Sequence, residues 1–196
     1  MRNILVVGAG GIGSWLAWQL HHLNQFNQLT ECLITFADDD TVDSKNLPYQ
    51  YFDQLDLTDN KAEVIGIKYQ FEYLSKRIKT KDQLANYDLI VSAVDNAKFR
   101  KLLFEYVNEN PDVYWIDLRS EGRAIAFYTK HKNNSIEKML GTLPDDLETE
   151  GSCQLAFELD NGIVQVGNRI IATFGAQLIL NWYRSEPNPP SFNTYV

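Results

Sequence analysis

Strands alternating with helices, a glycine cluster directly after the first strand, and short strands that are apolar throughout together predict an α/β fold. The expected form is a doubly wound, Rossmann-like, mostly parallel sheet with helices on both faces. Residues 3–7 form an apolar run ended by Gly8, which reads as a buried parallel strand. The helix after it places Ile12, Leu16, Leu20 and Leu23 on one stripe, with Trp15 and Trp18 as flanking packing residues. "ECLITFA" is the second strand and ends at "DDD". "NKAEVIGIKYQFEYL" reads as a helix, opened by Asn60 and Glu63 at the spacing of a capping box. "YDLIVSAV" is a third buried strand, and the helix beyond it is expected to bury Phe99, Leu102, Leu103, Tyr106 and Val107. "DVYWIDL" and "RAIAFYTK" are further strands. The polar segment from His131 to Gly151 reads as a long loop, and a helix near Ile171 to Tyr183 is apolar enough all round to be buried. The tail "SEPNPPSFNTYV" is Pro-rich and expected to run extended along the surface.

A chain of 196 residues suits one domain spanning 1–196. Its net charge of -8 argues against a nucleic-acid backbone as partner, since such partners need a basic face. The two cysteines, Cys32 and Cys153, form neither a disulfide framework nor a zinc ribbon and fit a reducing compartment. Met1 runs straight into the first strand, so no signal segment is expected. The longest apolar run, Ile170 to Leu180, is too short to span a bilayer. A cytoplasmic protein without a membrane partner is the expectation.

Gly8, Gly10 and Gly13 fit G-x-G-x-x-G between a strand and a helix, the context that pattern requires. Such a turn lets backbone approach a phosphate closely and aims a helix N-terminus at the anion. The alternative is a tight strand-to-helix turn with no ligand. The loop alone does not separate a dinucleotide from ATP. A dehydrogenase needs one acid at the second strand end to hold the ribose, whereas Asp38 here opens "DDDTVDSKNLPYQ". A solvated acidic turn is the ordinary reading of that segment by itself.

The glycine loop "GAGGIG", "DDDTVDSKNLPYQ", Lys61 in "TDNKAEV", and "SAVDNAKFR" occur in that order. Together they resemble the ThiF/MoeB-like adenylyltransferase family, related to the ubiquitin-activating enzymes. The family pattern is a G-x-G-G-x-G loop, an acidic strand end, D-x-V-x-x-x-N-L-x-R-Q, a lysine opening the next helix, and D-N-x-x-x-R. The resemblance covers about the first half of the chain. "RSEGRAIAFY" and the final apolar helix extend it, and the His131–Gly151 segment would be the family's crossover region over the acceptor tail.

The resemblance implies a set of roles. Gly8, Gly10, Gly11 and Gly13 would cradle the nucleotide, with Asp38 on the ribose hydroxyls and Asp40 beside it. Asn46 would bond near the phosphates, and Lys61 would bring its ammonium to them. Asp95 would be the Mg²⁺ carboxylate, with Asn96 next to it and Arg100 anchoring Asp95 or a phosphate. Asp95 and Lys61 are thus the candidate catalytic residues. Each has an ordinary alternative: Asp95 or Asn96 as a helix cap, Lys61 as an exposed lysine at a helix start. The implied chemistry is adenylation, with ATP and Mg²⁺, of the C-terminal carboxylate of a small ubiquitin-like or sulfur-carrier protein. A homodimer is implied as well, with Trp182 and Tyr183 as candidate contacts.

The chain departs from the family in three places. Tyr49 stands where the family has arginine, an N-terminal helix that lends an arginine to a neighbouring subunit is missing, and the paired C-x-x-C motifs are absent, so no zinc is expected. Arg2, Arg119 and Arg123 are the candidates to compensate. Cys153 reads as a small buried hydrophobe before a thioester or persulfide residue. Two rivals stand beside adenylation: a non-catalytic scaffold of the same fold, favoured by Tyr49, and an NAD-dependent oxidoreductase, favoured by the glycine loop and Asp38.

Overall fold

The computed structural model describes residues 1–147 and 159–196. Among these, seven strands form one sheet: β1 (Arg2–Val7), β2 (Cys32–Ala37), β3 (Glu72–Leu74), β4 (Leu89–Ser92), β5 (Tyr114–Glu121), β6 (Ala124–Thr129) and β7 (Ser191–Tyr195). Their order is β3-β2-β1-β4-β5-β6-β7. The first five run parallel, and β6 and β7 are antiparallel additions at one edge. Strand order reverses between β1 and β4, which opens a crevice at their carboxyl ends.

The helices are α1 (Gly13–Gln25), α2 (Lys61–Tyr69), α3 (Ala97–Glu109), the short α4 (Ile136–Leu140) and α5 (Gly167–Tyr183). The buried runs of β1 and β4 alternate between two cores. Ile4 and Val6 face one with Leu16, Leu20, Ile65 and Ile179 from α1, α2 and α5. Leu5 and Ile90 face the other with Leu103 and Phe104 of α3 and Met139 of α4. Two-sided burial is why these strands read as unbroken apolar runs. No helix among the described residues is long and apolar enough to cross a membrane.

Several local expectations change. The helix opened by Asn60 stops at Tyr69, because Gln70 turns left-handed with φ of 60°, and Glu72–Leu74 then pairs with β2 as an edge strand. Helical spacing of the apolar residues did not reveal that break. Asn60 caps α2 by accepting from the Glu63 backbone N–H, so half of the expected box forms. The His131–Gly151 segment is not all loop: Ile136–Leu140 is helical and Met139 is fully buried. Helix α5 begins at Gly167, earlier than expected, and Phe174 and Gln177 are exposed, so its burial is one-sided. Trp18 is also exposed, stacking on His22 rather than packing inward. Cys32 is half-buried at the start of β2, and burial pushes its thiol up to about 11, which makes it unreactive at neutral pH.

The tail departs most. Pro189 and Pro190 end before the strand, and Ser191–Tyr195 pairs with β6 in antiparallel register, Phe192 opposite Phe127. Phe192 stacks on Phe127 at 5.9 Å and meets Phe174 at 5.1 Å. Replacing Phe192 by alanine is therefore expected to lower stability by about 1 kcal/mol, the scale of such aromatic pairs. An unchanged urea midpoint would mean the tail does not hold this register in solution.

Candidate functional site

The loop after β1 and the turn after β4 meet at the crevice, and their geometry is set by close backbone approach. Gly8 has φ of +99°, and a Cβ there would lie 2.6 Å from the Ala93 carbonyl oxygen, so only glycine fits. A Cβ on Gly13 would lie 1.9 Å from the Gly8 carbonyl oxygen. Gly10 differs: its nearest neighbour would be Gln50 Nε2 at 3.7 Å, so that side of the loop is open. Helix α1 starts here with no side-chain cap. A helix N-terminus favours an anion, although the Ser14 amide is already taken by the Gly10 carbonyl. Asn168, fully buried on α5, pins the arrangement from behind by donating to the Gly11 carbonyl at 3.0 Å and the Tyr49 carbonyl at 2.6 Å.

A cavity of about 620 Å³ opens over this crevice. Its lining brings together Gly8, Gly10, Gly11, Asp38, Asp40, Lys61, Asp95 and Asn96, residues spread over nearly ninety positions of the chain. Gly13 lies behind the loop, where it permits the close packing. Asp38 Oδ2 accepts from the Ala9 N–H at 2.6 Å and Oδ1 from the Asp40 N–H at 2.8 Å. This braces the acid against the glycine loop and leaves each oxygen a further lone pair for a hydroxyl donor. Lys61 is 5% exposed, and its ammonium pairs with Asp40 at 3.2 Å. It is therefore not the exposed lysine of the ordinary reading. Asn96 caps α3, accepting from the Phe99 N–H at 3.1 Å, and lines the cavity as well. The cap and the site are the same residue.

Burial pushes the Asp38 carboxyl above the ordinary range, although the two amide donors and then Lys61 pull it back. The native state thus holds this proton more tightly than the unfolded chain. Stability is expected to fall as pH rises from the unfolded value, near 3.8, through the raised native one. Asp38→Asn should remove that part of the pH dependence. Urea midpoints of both proteins from acid to neutral pH test this, and parallel curves would contradict it.

Other expected residues fall elsewhere. Asn46 does not reach the cavity: it is buried, its carbonyl oxygen accepts from the Asp43 N–H, and its amide donates to the Tyr49 hydroxyl at 3.0 Å. It holds the ring of Tyr49, which lines the cavity in its place. Arg100 is not among the residues that line the cavity. It pairs with Asp117 at 3.1 Å and donates to the Val94 carbonyl. Arg119 also pairs with Asp117, at 2.7 Å, and bonds Thr142. Arg2 caps the end of α5 at the Trp182 and Tyr183 carbonyls, and Arg123 bonds the Val196 carbonyl, so neither supplies charge to the cavity. Cys153 lies outside the described residues.

The positive charge comes instead from Lys76, Arg77, Lys79 and Lys98, which line the cavity. Three of these stand in "SKRIKT", just beyond β3. The available signal was a dense cationic run in an acidic chain, but it lies past the helix expected over 60–74 and nothing local ties it to the glycine loop. Gln50 lines the cavity too, 7% exposed, with its side-chain oxygen unpartnered.

Asp38, Asp39 and Asp40 place carboxylate oxygens within 4.8 Å of one another. Each already has a donor or cation: the Ala9 and Asp40 amides, Arg77, and Lys61 respectively. The cluster is accounted for by those bonds. Asp95, exposed on the opposite wall, fits magnesium better, because a hard-oxygen carboxylate sharing the ion with substrate phosphates is ordinary Mg²⁺ chemistry.

Comparisons with known proteins agree with this fold. Escherichia coli MccB solved with ATP superposes with a TM-score of 0.69 at 19% identity, over 100% of this chain and 61% of that one. E. coli MccB with AMPCPP and MccA gives 0.68 at 17%, over 100% and 60%. E. coli tRNA N6-threonylcarbamoyladenosine dehydratase, TcdA, gives 0.66 at 17%, over 94% and 86%. These likenesses speak for the fold, and the chain spans about three fifths of the length of MccB. No curated protein sequence matches. The ThiF family model matches residues 2–196, so the chain, with its glycine loop, acidic strand end, Asp95 and Asn96 on one cavity, belongs to the ThiF family.

Proposed function

We propose that the chain is an ATP-dependent adenylyltransferase that activates the C-terminal carboxylate of a small ubiquitin-like or sulfur-carrier protein. One observation carries the reading: the glycine loop, Asp38, Lys61 and Asp95 line a single cavity at the point where strand order reverses. MccB, of the same fold, has been solved with ATP and with MccA.

In this reading the loop amides and the start of α1 receive the phosphates, and Asp38 accepts from the ribose hydroxyls. Lys61, held by Asp40, supplies a fixed positive charge, and Lys76, Arg77, Lys79 and Lys98 add to it in place of the family's arginine. Asp95 would hold Mg²⁺, which neutralises phosphate charge when bound. An acceptor carboxylate oxygen attacks the α-phosphorus, forming a new O–P bond. The bond to the bridging oxygen breaks, and pyrophosphate leaves with its electron pair. No protein nucleophile is consumed, so catalysis is in-line positioning and charge stabilisation. The acting form is a homodimer in the cytoplasm.

ATP–pyrophosphate exchange, dependent on both Mg²⁺ and an acceptor with a free C-terminal tail, is the expected result. ATP binding without exchange across a panel of such tails would favour the scaffold reading, for which Tyr49 speaks. Tight NADH binding without ATP binding would return the oxidoreductase.

A further inference from the structure

The chemistry above makes no use of Asp117, yet its carboxylate is completely buried, at 0% exposure. A buried carboxylate is retained only where cations and donors compensate its lost hydration. Here two guanidinium groups do so, Arg100 Nε at 3.1 Å on one oxygen and Arg119 Nε at 2.7 Å on the other. Guanidinium is a rigid planar fork, so fixing Nε fixes where the remaining N–H groups point. Arg100, on α3, sends Nη2 to the carbonyl of Val94, the residue before Asp95. Arg119, on β5, sends its two Nη groups to Thr142, at 2.9 Å to the hydroxyl and 3.3 Å to the carbonyl. Its guanidinium carbon lies over the Tyr128 ring, 4.8 Å from the centroid. Thr142 stands just past Gly141, the C-cap of α4, and leads to Leu147, which lines the cavity.

We propose that Asp117 is a positioning residue that couples the two sides of the cavity mouth. Through Arg100 it sets the backbone that presents Asp95, and through Arg119 it ties the segment after α4 to the same carboxylate. This rests on the reading that Asp95 engages the metal–nucleotide complex. The geometry gives Asp117 one job at two ends: each arginine grips a different segment, and the one carboxylate takes both arginines.

The test uses Asp117→Asn, which keeps shape but loses the charge that orients both forks. Arg100→Lys and Arg119→Lys each loosen one end, and they serve if the buried substitution prevents folding. Affinity for ATP is measured with and without Mg²⁺, and backbone amide exchange is followed at residues 93–96 and 140–143. Asp117→Asn is expected to weaken Mg²⁺-dependent ATP binding on the order of 10–100-fold, the range for residues that orient a metal ligand, with metal-free ATP binding little changed. Amide exchange should quicken in both segments together. Arg100→Lys should affect binding the same way and quicken only the first segment, and Arg119→Lys only the second. Equal losses with and without Mg²⁺ would reduce Asp117 to a structural residue and overturn the proposal. So would amide exchange that stays slow at 93–96 in Asp117→Asn, or in Arg100→Lys should the former not fold. A wild type that shows no Mg²⁺-dependent ATP binding would instead sink the adenylyltransferase reading, and amide exchange would still decide whether Asp117 joins the two segments.

Discussion

Gly13→Ala is expected to destabilise the folded chain by about 1–3 kcal/mol or more, while Gly10→Ala leaves stability within about 0.5 kcal/mol and weakens ATP binding. The difference is geometric. An added methyl at Gly13 meets the Gly8 carbonyl oxygen at 1.9 Å, and that atom is backbone, fixed by the Gly8 N–H bond to the Ala37 carbonyl. Helix α1 must then move away from β1, and with it Leu16 and Leu20 of the core. At Gly10 the methyl meets only Gln50 Nε2 at ordinary contact distance, so the fold loses nothing. The space it occupies is where a phosphate would approach the loop amides. Urea denaturation together with calorimetric ATP titration separates the two effects. A Gly10→Ala protein that binds ATP like the wild type would show that the open side of the loop is not the phosphate seat.

The second large effect belongs to Asp95. Asp95→Ala is expected to abolish the Mg²⁺-dependent part of ATP binding and to lower pyrophosphate exchange on the order of 100-fold or more, as does loss of one preorganised electrostatic group elsewhere. Stability should change little, because Asp95 is exposed and the cap of α3 comes from Asn96. That separation makes the variant informative: thermal denaturation should match the wild type while the metal effect disappears. Retained Mg²⁺ dependence would move the metal to another carboxylate and take Asp95 out of the catalytic role.

Much of this molecule was legible because its signals are local. The apolar runs of β1 and β4, each ended by glycine or a polar turn, mark strands buried on both faces. The glycine spacing reports a turn too tight for a Cβ at Gly8 or Gly13, and Asn60 and Asn96 announce their helices by capping them. These features need only a residue and its near neighbours, so the sequence specifies them wherever they fall in space.

The rest depended on what meets what. Asn46 matched its motif, yet burial and the Tyr49 hydroxyl claimed both ends of its amide. Arg100 matched too, but a buried carboxylate seventeen residues further on outcompetes any exposed partner for its guanidinium. The tail looked like surface chain because prolines open it, and only the free edge of β6 turns it into a strand. Three of the cations of the cavity follow β3 directly, and it is the pairing of β3 with β2 that brings them to the glycine loop. By itself the sequence determined the parallel sheet, the glycine loop and the acid beyond each of β2 and β4, since backbone sterics and capping act over a few residues. Tertiary structure alone decided which charges share the cavity and which are consumed in pairing, because Coulomb energy and desolvation depend on distances between segments the chain order does not reveal.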